Sequence, residues 1–266
     1  MIHKSVAVLL LLHLLGPVLL LLLDELLGQH LSPVRATHFN IWYPISTSIF
    51  DALPIFAALD DLDCLLVASP NHCHVDALEQ IAELNPLPLL MEKPLFTDPA
   101  DLARIDAIAA SYPAPIWVAM EYRYMPPIQT FAEEVQRATG GVKMLTIREH
   151  RFPFLHKVGD WNRFNRNTGG TLVEKCCHFF DLMRLILGSD PVRVTASAGQ
   201  EVNHLDETYD GAVPDIWDSG YVIVDFANGA RAMLELCMYA EGARYQEEIS
   251  AVGPNGKIEA FVPGPG

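Results

Sequence analysis

The sequence predicts an α/β domain with a parallel, doubly wound sheet, followed by an α+β domain whose large, open sheet is mainly antiparallel. Its 266 residues are enough for one to two domains of roughly 150 residues each. Up to residue 120, short apolar segments alternate with helical patterns, which is typical of a parallel sheet. Beyond residue 120, strand-like segments predominate, and they indicate an antiparallel sheet with helices on one face. We therefore expect domains at 1–120 and 121–266.

The composition is that of a globular protein, with 50% hydrophobic and 19% charged residues. The formal net charge of −15 has the wrong sign for a surface that binds nucleic acid, so nucleic acid is not expected as a partner. The five cysteines are odd in number and contain no CxxC pair, which argues against a disulfide framework or a zinc site. We interpret them as thiols of a reducing, cytoplasmic compartment.

The first apolar segment runs from Val6 to Leu23 and is interrupted by His13, Gly16 and Pro17. It has three interpretations: a buried parallel strand at Val18–Leu23, a membrane or targeting segment through residues 6–23, or a sequence artefact or divergent exon. No small-x-small cleavage site follows it, and the buried strand is favoured. Prolines interrupt residues 30–58, so the structural prediction there is weak.

The remaining elements follow from apolar periodicity and turn residues. In the first half we predict strands at 63–69, 87–91 and 116–120, with helices at 74–84 and 98–111. In the second half we predict helices at 127–139 and 171–187, with strands at 142–150, 192–198, 220–226, 230–238 and 247–252. Asn228-Gly229, which lies between two of these strands, is a strong hairpin signal.

Polar residues follow two of the predicted parallel strands, at the sheet edge where ligands bind in open α/β folds. Pro70-Asn71 closes one strand and opens a helix, whose free N–H groups favour an anion or a polar cofactor group. Glu92-Lys93-Pro94 closes the next strand. Lys93 could donate a hydrogen bond to a substrate oxygen, or it could be an ordinary solvated loop lysine.

A polar stripe marks the helix predicted at 171–187. Glu174, His178 and Asp181 are spaced i, i+4 and i+7, which places them within roughly 60° of arc. A carboxylate one turn from an imidazole suits a general base that accepts an alcohol proton. The alternative is a helix flank that touches water. A metal site is not expected, because no second His or Cys lies at ligand spacing nearby.

Four segments in register give the chain a specific family resemblance. They are residues 68–74 (Ala-Ser-Pro-Asn-His-Cys-His), Glu92-Lys93-Pro94, residues 121–126 (Glu-Tyr-Arg-Tyr-Met-Pro), and residues 169–181, which contain Glu174, His178 and Asp181. In order and spacing they resemble the Gfo/Idh/MocA oxidoreductases, which include inositol dehydrogenases and glucose–fructose oxidoreductase. The resemblance covers roughly residues 60 to 262.

The resemblance implies a Rossmann domain that binds NAD or NADP, a second domain that covers the active site, and a homo-oligomer. The reaction implied is oxidation of a secondary alcohol on a polyol, sugar or cyclic alcohol. The catalytic residues implied are Lys93, His178 and Glu174, where Asp is usual in place of Glu174. The residues implied at the cofactor are Ser69, Pro70, Asn71, His74, Glu92, Lys93 and Pro94. Candidates to hold substrate hydroxyls or orient the base are Tyr122, Arg123, Trp161, Asn162, Arg163 and Asp181.

The first sixty residues depart from the family pattern, because they contain no GxGxxG. Aligning Gly28 with the third glycine puts Leu23 and Glu25 at the other two positions, where they would crowd or repel a pyrophosphate. The chain also ends at residues 263–266, earlier than the family pattern. A second hypothesis therefore stands beside the dehydrogenase: a relative that has lost cofactor binding and serves assembly or small-ligand binding.

Overall fold

The computed structural model describes the backbone of Val6–Leu9 and Phe39–Ile41, and residues 62–263. Contacts divide the chain into two compact units. The first runs as far as Ala119 and includes Lys157–Trp161 and Arg166–Gly169. The second contains Met120–His156, Asn162–Asn165 and the chain from Gly170.

The first unit contains a parallel sheet, as the sequence predicted, with strand order β2-β1-β3-β4-β5. The strands are β1 Val6–Leu9, β2 Phe39–Ile41, β3 Cys64–Val67, β4 Leu89–Met91 and β5 Ile116–Val118. Strand β1 thus lies at the start of the first apolar segment, Val6 to Leu23. The strand predicted at Val18–Leu23, and the family alignment of Gly28, fall outside the described residues.

Helix α1, His74–Leu84, has the bounds that the sequence predicts. Helix α2, Leu102–Ser111, is preceded by the 3-10 turn Pro99–Asp101. The core of this unit comes from β3, β4 and the inner faces of the two helices, because continuous apolar strands bury side chains on both faces. Its members include Leu65, Val67, Ala77, Leu78, Ile81, Leu89, Met91 and Ile108.

The second unit has a six-stranded sheet with order β11-β10-β6-β9-β8-β7. Only β6 and β9 pair in parallel, so the prediction of a mainly antiparallel sheet is confirmed. The strands are β6 Met144–His150, β7 Pro191–Gly199, β8 Ser219–Phe226, β9 Arg231–Cys237, β10 Glu247–Gly253 and β11 Gly256–Val262. Asn228-Gly229 forms the predicted hairpin, with Gly229 at φ 82°. Strand β11 was not predicted.

One face of this sheet packs against helix α3, Pro126–Thr139, and against the helix that ends at Leu187. The sheet packs on this face because its strands alternate: in β6, Leu145 and Ile147 are buried, and the residues between them are more exposed. On α3, Ile128, Phe131 and Val135 form the matching apolar stripe. Among the described residues, no helix has the length and apolarity needed to cross a membrane.

The single helix predicted at 171–187 is wrong, because the chain forms two helices there. Helix α4 is Asn165–Thr168, helix α5 is Thr171–Glu174, and helix α6 is Cys177–Leu187. The break falls at Lys175 and Cys176, both of which are buried. The ammonium of Lys175 contacts Tyr122 and Glu149, which lie on other elements. Helical periodicity does not reveal contacts between residues so far apart in sequence.

Candidate active site

The two predicted cofactor segments lie at the carboxyl ends of neighbouring strands. Val67 and Met91 pair in register, so the residues after β3 and β4 leave the same sheet edge. The N–H of Glu92 also donates to the carbonyl of Val67, at 2.8 Å. The structure therefore brings Ser69, Asn71 and Lys93 to the edge where open α/β sheets bind ligands.

His74 ties these two segments together. Its Nδ1 is 2.7 Å from the carbonyl oxygen of Pro94, and its Nε2 is 2.9 Å from that of Ser69. The side chain is fully buried, at 0% exposure. Carbonyl oxygens only accept, so the ring donates to both partners when it carries both of its protons. His74 is thus placed to hold the edge rather than to touch a ligand.

The described part of this edge fits a polar cofactor group. The Ser69 hydroxyl is buried and has no hydrogen-bond partner among the described residues, which is unusual for a buried polar atom. Lys93 is half-buried, and its backbone N–H donates to Glu92 Oε2 at 3.3 Å. Pro70 and Asn71 begin the 3-10 turn Asn71–Cys73, just before α1. A hydroxyl, an ammonium and turn N–H groups are suitable donors for a nucleotide.

His178 lies in the first turn of α6 and is 2% exposed. Its Nε2 is 3.5 Å from Oε1 of Glu121, whose side chain is 42% exposed. A carboxylate beside an imidazole is an arrangement that suits proton transfer to the ring. Glu174 is buried at the end of α5, on the other side of the helix break from His178. The stripe geometry predicted for one continuous helix therefore does not apply to it.

Asp181 and Arg123 form an ion pair with each other. The guanidinium donates twice to the carboxylate, from Nε and NH2, at 2.5 Å each. Hydrogen bonding to Asp181 raises the pKa of Arg123 above its ordinary value. Both were predicted to hold substrate or orient the base. In the structure they form a bidentate pair that joins the 3-10 turn Glu121–Tyr124 to α6.

Tyr122 turns its hydroxyl into the protein. The phenol accepts from Lys175 Nζ at 2.6 Å and donates to Glu247 Oε1 at 3.1 Å. Lys175 also pairs with Glu149, at 3.0 Å. We call Tyr122, Glu149, Arg151, Lys175 and Glu247 the buried polar cluster. The hydroxyl of Tyr122, which the sequence suggested for a substrate hydroxyl, is therefore engaged within the protein.

Burial dominates the electrostatics of this cluster. Glu149 is 0% exposed and sits directly opposite Glu247 on the neighbouring strand. Loss of water, reinforced by Glu247, raises the pKa of Glu149 to about 7, although Lys175 and Arg151 oppose the shift. Burial and the two carboxylates also raise the pKa of Tyr122 far above its ordinary value. The phenol therefore remains a proton donor.

The remaining predicted substrate residues have structural partners of their own. Asn162 is buried and donates to the carbonyl of Leu155. Arg163 is 1% exposed, and its Nε donates to Glu207 Oε2 at 3.0 Å. Trp161 packs edge-on against His72, with ring centroids 6.2 Å apart. Residues 62–263 contain no group of three or more His, Cys, Asp or Glu side chains arranged to hold a metal ion.

Sequence reasoning missed the buried polar cluster and one isolated carboxylate. Glu149 had a weak signal, because it continues the inward alternation of Leu145 and Ile147, where a third apolar residue is expected. Lys175 had none, because it lies inside an apparent helix. Asp218, which is also buried, accepts the backbone N–H groups of Glu201, Val202 and Asn203 and so fixes the chain after β7.

Two family models match this chain. The model for the oxidoreductase family NAD-binding Rossmann fold matches residues 32–120. The model for the oxidoreductase family C-terminal alpha/beta domain matches residues 135–264. The chain therefore belongs to the Gfo/Idh/MocA oxidoreductase family, and its first unit carries that family's NAD-binding Rossmann fold.

Relatives of known name are distant. Inositol 2-dehydrogenase of Rhizobium meliloti strain 1021 is 26% identical over 206 residues, which cover 76% of this chain and 58% of that protein. D-xylose 1-dehydrogenase (NADP+) of Haloarcula marismortui is 25% identical over 214 residues, covering 78% and 56% respectively. The chain thus spans a little over half the length of these relatives.

Solved structures share the fold. GenD2 from gentamicin A biosynthesis, in complex with NAD, superposes with a TM-score of 0.76 at 21% identity, over 97% of this chain and 72% of that one. Myo-inositol 2-dehydrogenase from Lactobacillus plantarum gives 0.71 at 17% identity, over 96% and 75%. At these identities the likeness concerns architecture alone.

Proposed function

We propose that this protein is an NAD(P)-dependent oxidoreductase that acts on a secondary alcohol of a polyol, sugar or cyclic alcohol. The observation that carries the proposal is the edge at β3 and β4, where His74 holds the Ser69 and Lys93 segments together. Family membership supports it, as do the polyol and sugar names of the relatives. Residues 1–120 would bind the dinucleotide, and residues 121–266 would provide the substrate and oligomerisation domain.

Each catalytic residue has a separate role in this proposal. A bound nicotinamide supplies the hydride acceptor. Lys93 donates a hydrogen bond to the substrate oxygen and stabilises the negative charge that develops there. His178 accepts the hydroxyl proton, and Glu121 stabilises the imidazolium that results. Glu174, the last residue before the helix break, is proposed as the carboxylate that assists His178.

The remaining site assignments belong to the same proposal. Ser69, Pro70, Asn71, Glu92 and Pro94 would line the cofactor, while His74 would hold their backbone in place. Trp161, Asn162 and Arg163 would shape the substrate site through the loop that they fix. Arg123 and Asp181 would orient the turn that carries Glu121.

Nucleotide titration is the test of this function. NADH and NADPH should each be added while nicotinamide fluorescence is followed, and turnover should then be measured with NAD+ or NADP+ and myo-inositol, D-xylose and D-glucose. We expect at least one nucleotide to bind and at least one alcohol to be oxidised. No binding of either nucleotide at millimolar concentration would contradict the proposal.

A second candidate is a relative without cofactor binding. Strand β1 ends at Leu9, and the sequence continues through Leu10 to Leu15 before its first glycine, Gly16. A dinucleotide-binding turn normally places glycines directly after this strand, so that the backbone can approach the pyrophosphate. Calorimetry that shows binding of myo-inositol, D-xylose or D-glucose, together with no binding of NADH or NADPH in the titration above, would favour this candidate.

We also propose a homo-oligomer that uses the outer face of the six-stranded sheet. Tyr221, Ile223, Met144 and Val252 lie on that face by strand register, and all four are exposed. The same face carries ion pairs such as Arg148–Glu248, and exposed apolar side chains among paired charges suit an interface between copies of the chain. Light scattering after size exclusion should show more than one chain per particle, and Ile223→Asp should reduce the particle to a single chain.

A cytoplasmic location is proposed from the five free cysteines, none of which forms a disulfide. The alternative is attachment to membranes through residues 6–23. Cell fractionation separates the two: a cytoplasmic protein stays in the supernatant, whereas an attached one pellets with membranes.

A further inference from the structure

The Tyr122 phenol is held in a single orientation. Its oxygen accepts a hydrogen bond from the ammonium of Lys175 and donates its own proton to Glu247. The raised pKa of Tyr122, caused first by burial and then by Glu149 and Glu247, keeps that proton in place. A hydroxyl that has one charged donor and one charged acceptor has little freedom to rotate. Its partners therefore fix the ring as well.

The partners of the phenol are themselves fixed. Lys175 Nζ lies 3.0 Å from Glu149 Oε1, and Arg151 NH1 reaches the same oxygen at 3.2 Å. Glu247 accepts a further hydrogen bond from the side chain of Gln246. These side chains come from strands β6 and β10, the residue after β6, and the break between α5 and α6. Glu149 Oε2, Arg151 Nε and Glu247 Oε2 have no hydrogen-bond partner among the described residues, so the bonds named above, and not full satisfaction of the polar atoms, hold the cluster together.

The His178 imidazole rests on this fixed phenol. The two rings are stacked, with centroids 4.4 Å apart and planes 6° from parallel. Phe179 packs its ring edge-on against Tyr122, with centroids 5.6 Å apart. Any rotation of the imidazole out of its plane would break the stack. The Glu121 carboxylate, 3.5 Å from Nε2, faces the edge of the same ring.

We propose that Tyr122 is a positioning residue for His178, with the buried polar cluster fixing the phenol and the phenol fixing the plane of the imidazole. The inference rests on the proposed function in one respect, the role of His178 as general base. A base must aim its ring nitrogen at the hydroxyl proton, and a displacement of about 1 Å at a catalytic group can cost about 100-fold in rate. Glu121 faces the His178 ring, Lys175 and Glu247 bond to the Tyr122 phenol, and Glu149 and Arg151 act on that phenol through their charges.

Nuclear magnetic resonance tests the stack without any need for activity. Histidine labelled with 13C in the ring is incorporated, and the His178 signal is assigned from its loss in His178→Gln. An imidazole stacked on a phenol has its ring protons shifted upfield. We expect this shift in the wild type and in Tyr122→Phe, and its loss in Tyr122→Leu. Tyr239→Leu removes an exposed tyrosine from the same unit and should leave the signal unchanged.

Kinetics test the consequence. We expect Tyr122→Leu to lower kcat by about 100-fold, with little change in KM for the nucleotide, because the base is displaced while the cofactor edge is untouched. Tyr122→Phe keeps the stacked ring, so its kcat should fall by less than about tenfold. This partial rescue by the conservative variant separates positioning from a general loss of structure.

A wild-type His178 signal without the upfield shift would overturn the proposal, as would an unchanged signal in folded Tyr122→Leu. If Tyr122→Leu does not fold, the wild type and Tyr122→Phe decide, because both must show the shifted signal. A wild type that oxidises no alcohol but shows the expected signals would overturn the proposed function and still support the positioning of His178 by Tyr122.

Discussion

The edge in the first unit and the buried polar cluster in the second hold their residues by different means. At the edge, one histidine bonds to two backbone carbonyls, and the segments that it joins lie within residues 69–94. In the cluster, charged and phenolic side chains from residues 122–247 hold one another. The comparison teaches that a site can rest on local backbone geometry or on long-range side-chain charge, and that the two should fail differently when perturbed.

The largest expected effect is that of removing His178, the proposed base, which the cluster supports through Tyr122. His178→Ala should lower kcat by about 100- to 10,000-fold, the range for losing a general acid or base. The ionisation of the base should also disappear from the pH–rate profile. Cofactor binding depends on the other unit and should persist, as measured by nicotinamide fluorescence. Loss of nucleotide binding in His178→Ala would show that the two regions are not independent.

Removing the cation at the edge is the next largest change. Lys93→Met should lower kcat by about 100-fold, because a charged donor to the developing oxyanion is lost. The dissociation constant of the nucleotide should change much less. The matched variant Lys93→Arg keeps the charge and should retain more activity than Lys93→Met. Equal losses of turnover and nucleotide affinity would contradict the role given to Lys93.

Removing the histidine that ties the edge should act on stability. His74→Leu leaves two carbonyl oxygens without their donor and should lower the free energy of unfolding by roughly 2–4 kcal/mol, as expected for a buried polar loss. Urea denaturation gives the value. His72→Leu changes a neighbouring histidine, and we expect a smaller loss from it. An unaltered stability in His74→Leu would show that the edge is held by other contacts.

The smallest effect concerns pH and the cluster. The pKa of Glu149 is raised to about 7 in the folded protein, so between its ordinary value and pH 7 the folded state binds the extra proton. Glu149 should therefore make stability fall as pH rises towards 7 and then level off. In Glu149→Gln this part of the dependence should vanish, as thermal melting at pH 5 and pH 8 would show. If the stability of Glu149→Gln fell more steeply with pH than that of the wild type, the prediction for Glu149 would be contradicted.

Local patterns carried most of the fold. Helix α1 has the predicted bounds, and the Asn228-Gly229 hairpin forms where expected, because both depend on residues a few positions apart. The motifs that end β3 and β4 could be predicted from the sequence because they too consist of residues a few positions apart. Strand β11 was missed although the residues from Lys257 to Ala260 alternate polar and apolar, a pattern typical of a strand with one buried face.

The site in the second unit was only partly predictable. The sequence singled out His178 and the segment at residues 121–126, but it gave Tyr122, Arg123 and Asp181 as candidates to hold substrate hydroxyls or orient the base. The structure shows that each has a protein partner. Spacing along a chain gives the residue type and the approximate face of a helix. It does not reveal which distant side chain will satisfy a polar group, and this determines what remains for a ligand.

The sequence by itself determined the family, the parallel sheet followed by a mainly antiparallel one, and the presence of Lys93 and His178, because these depend on short motifs and on periodicity. Tertiary structure decided that the 171–187 helix breaks at Lys175, that His74 holds the edge, and that Tyr122 supports the imidazole. The physical reason is desolvation: a buried lysine, glutamate or phenol must find a partner, and the partners of Lys175 are distant in sequence and become neighbours only in the fold.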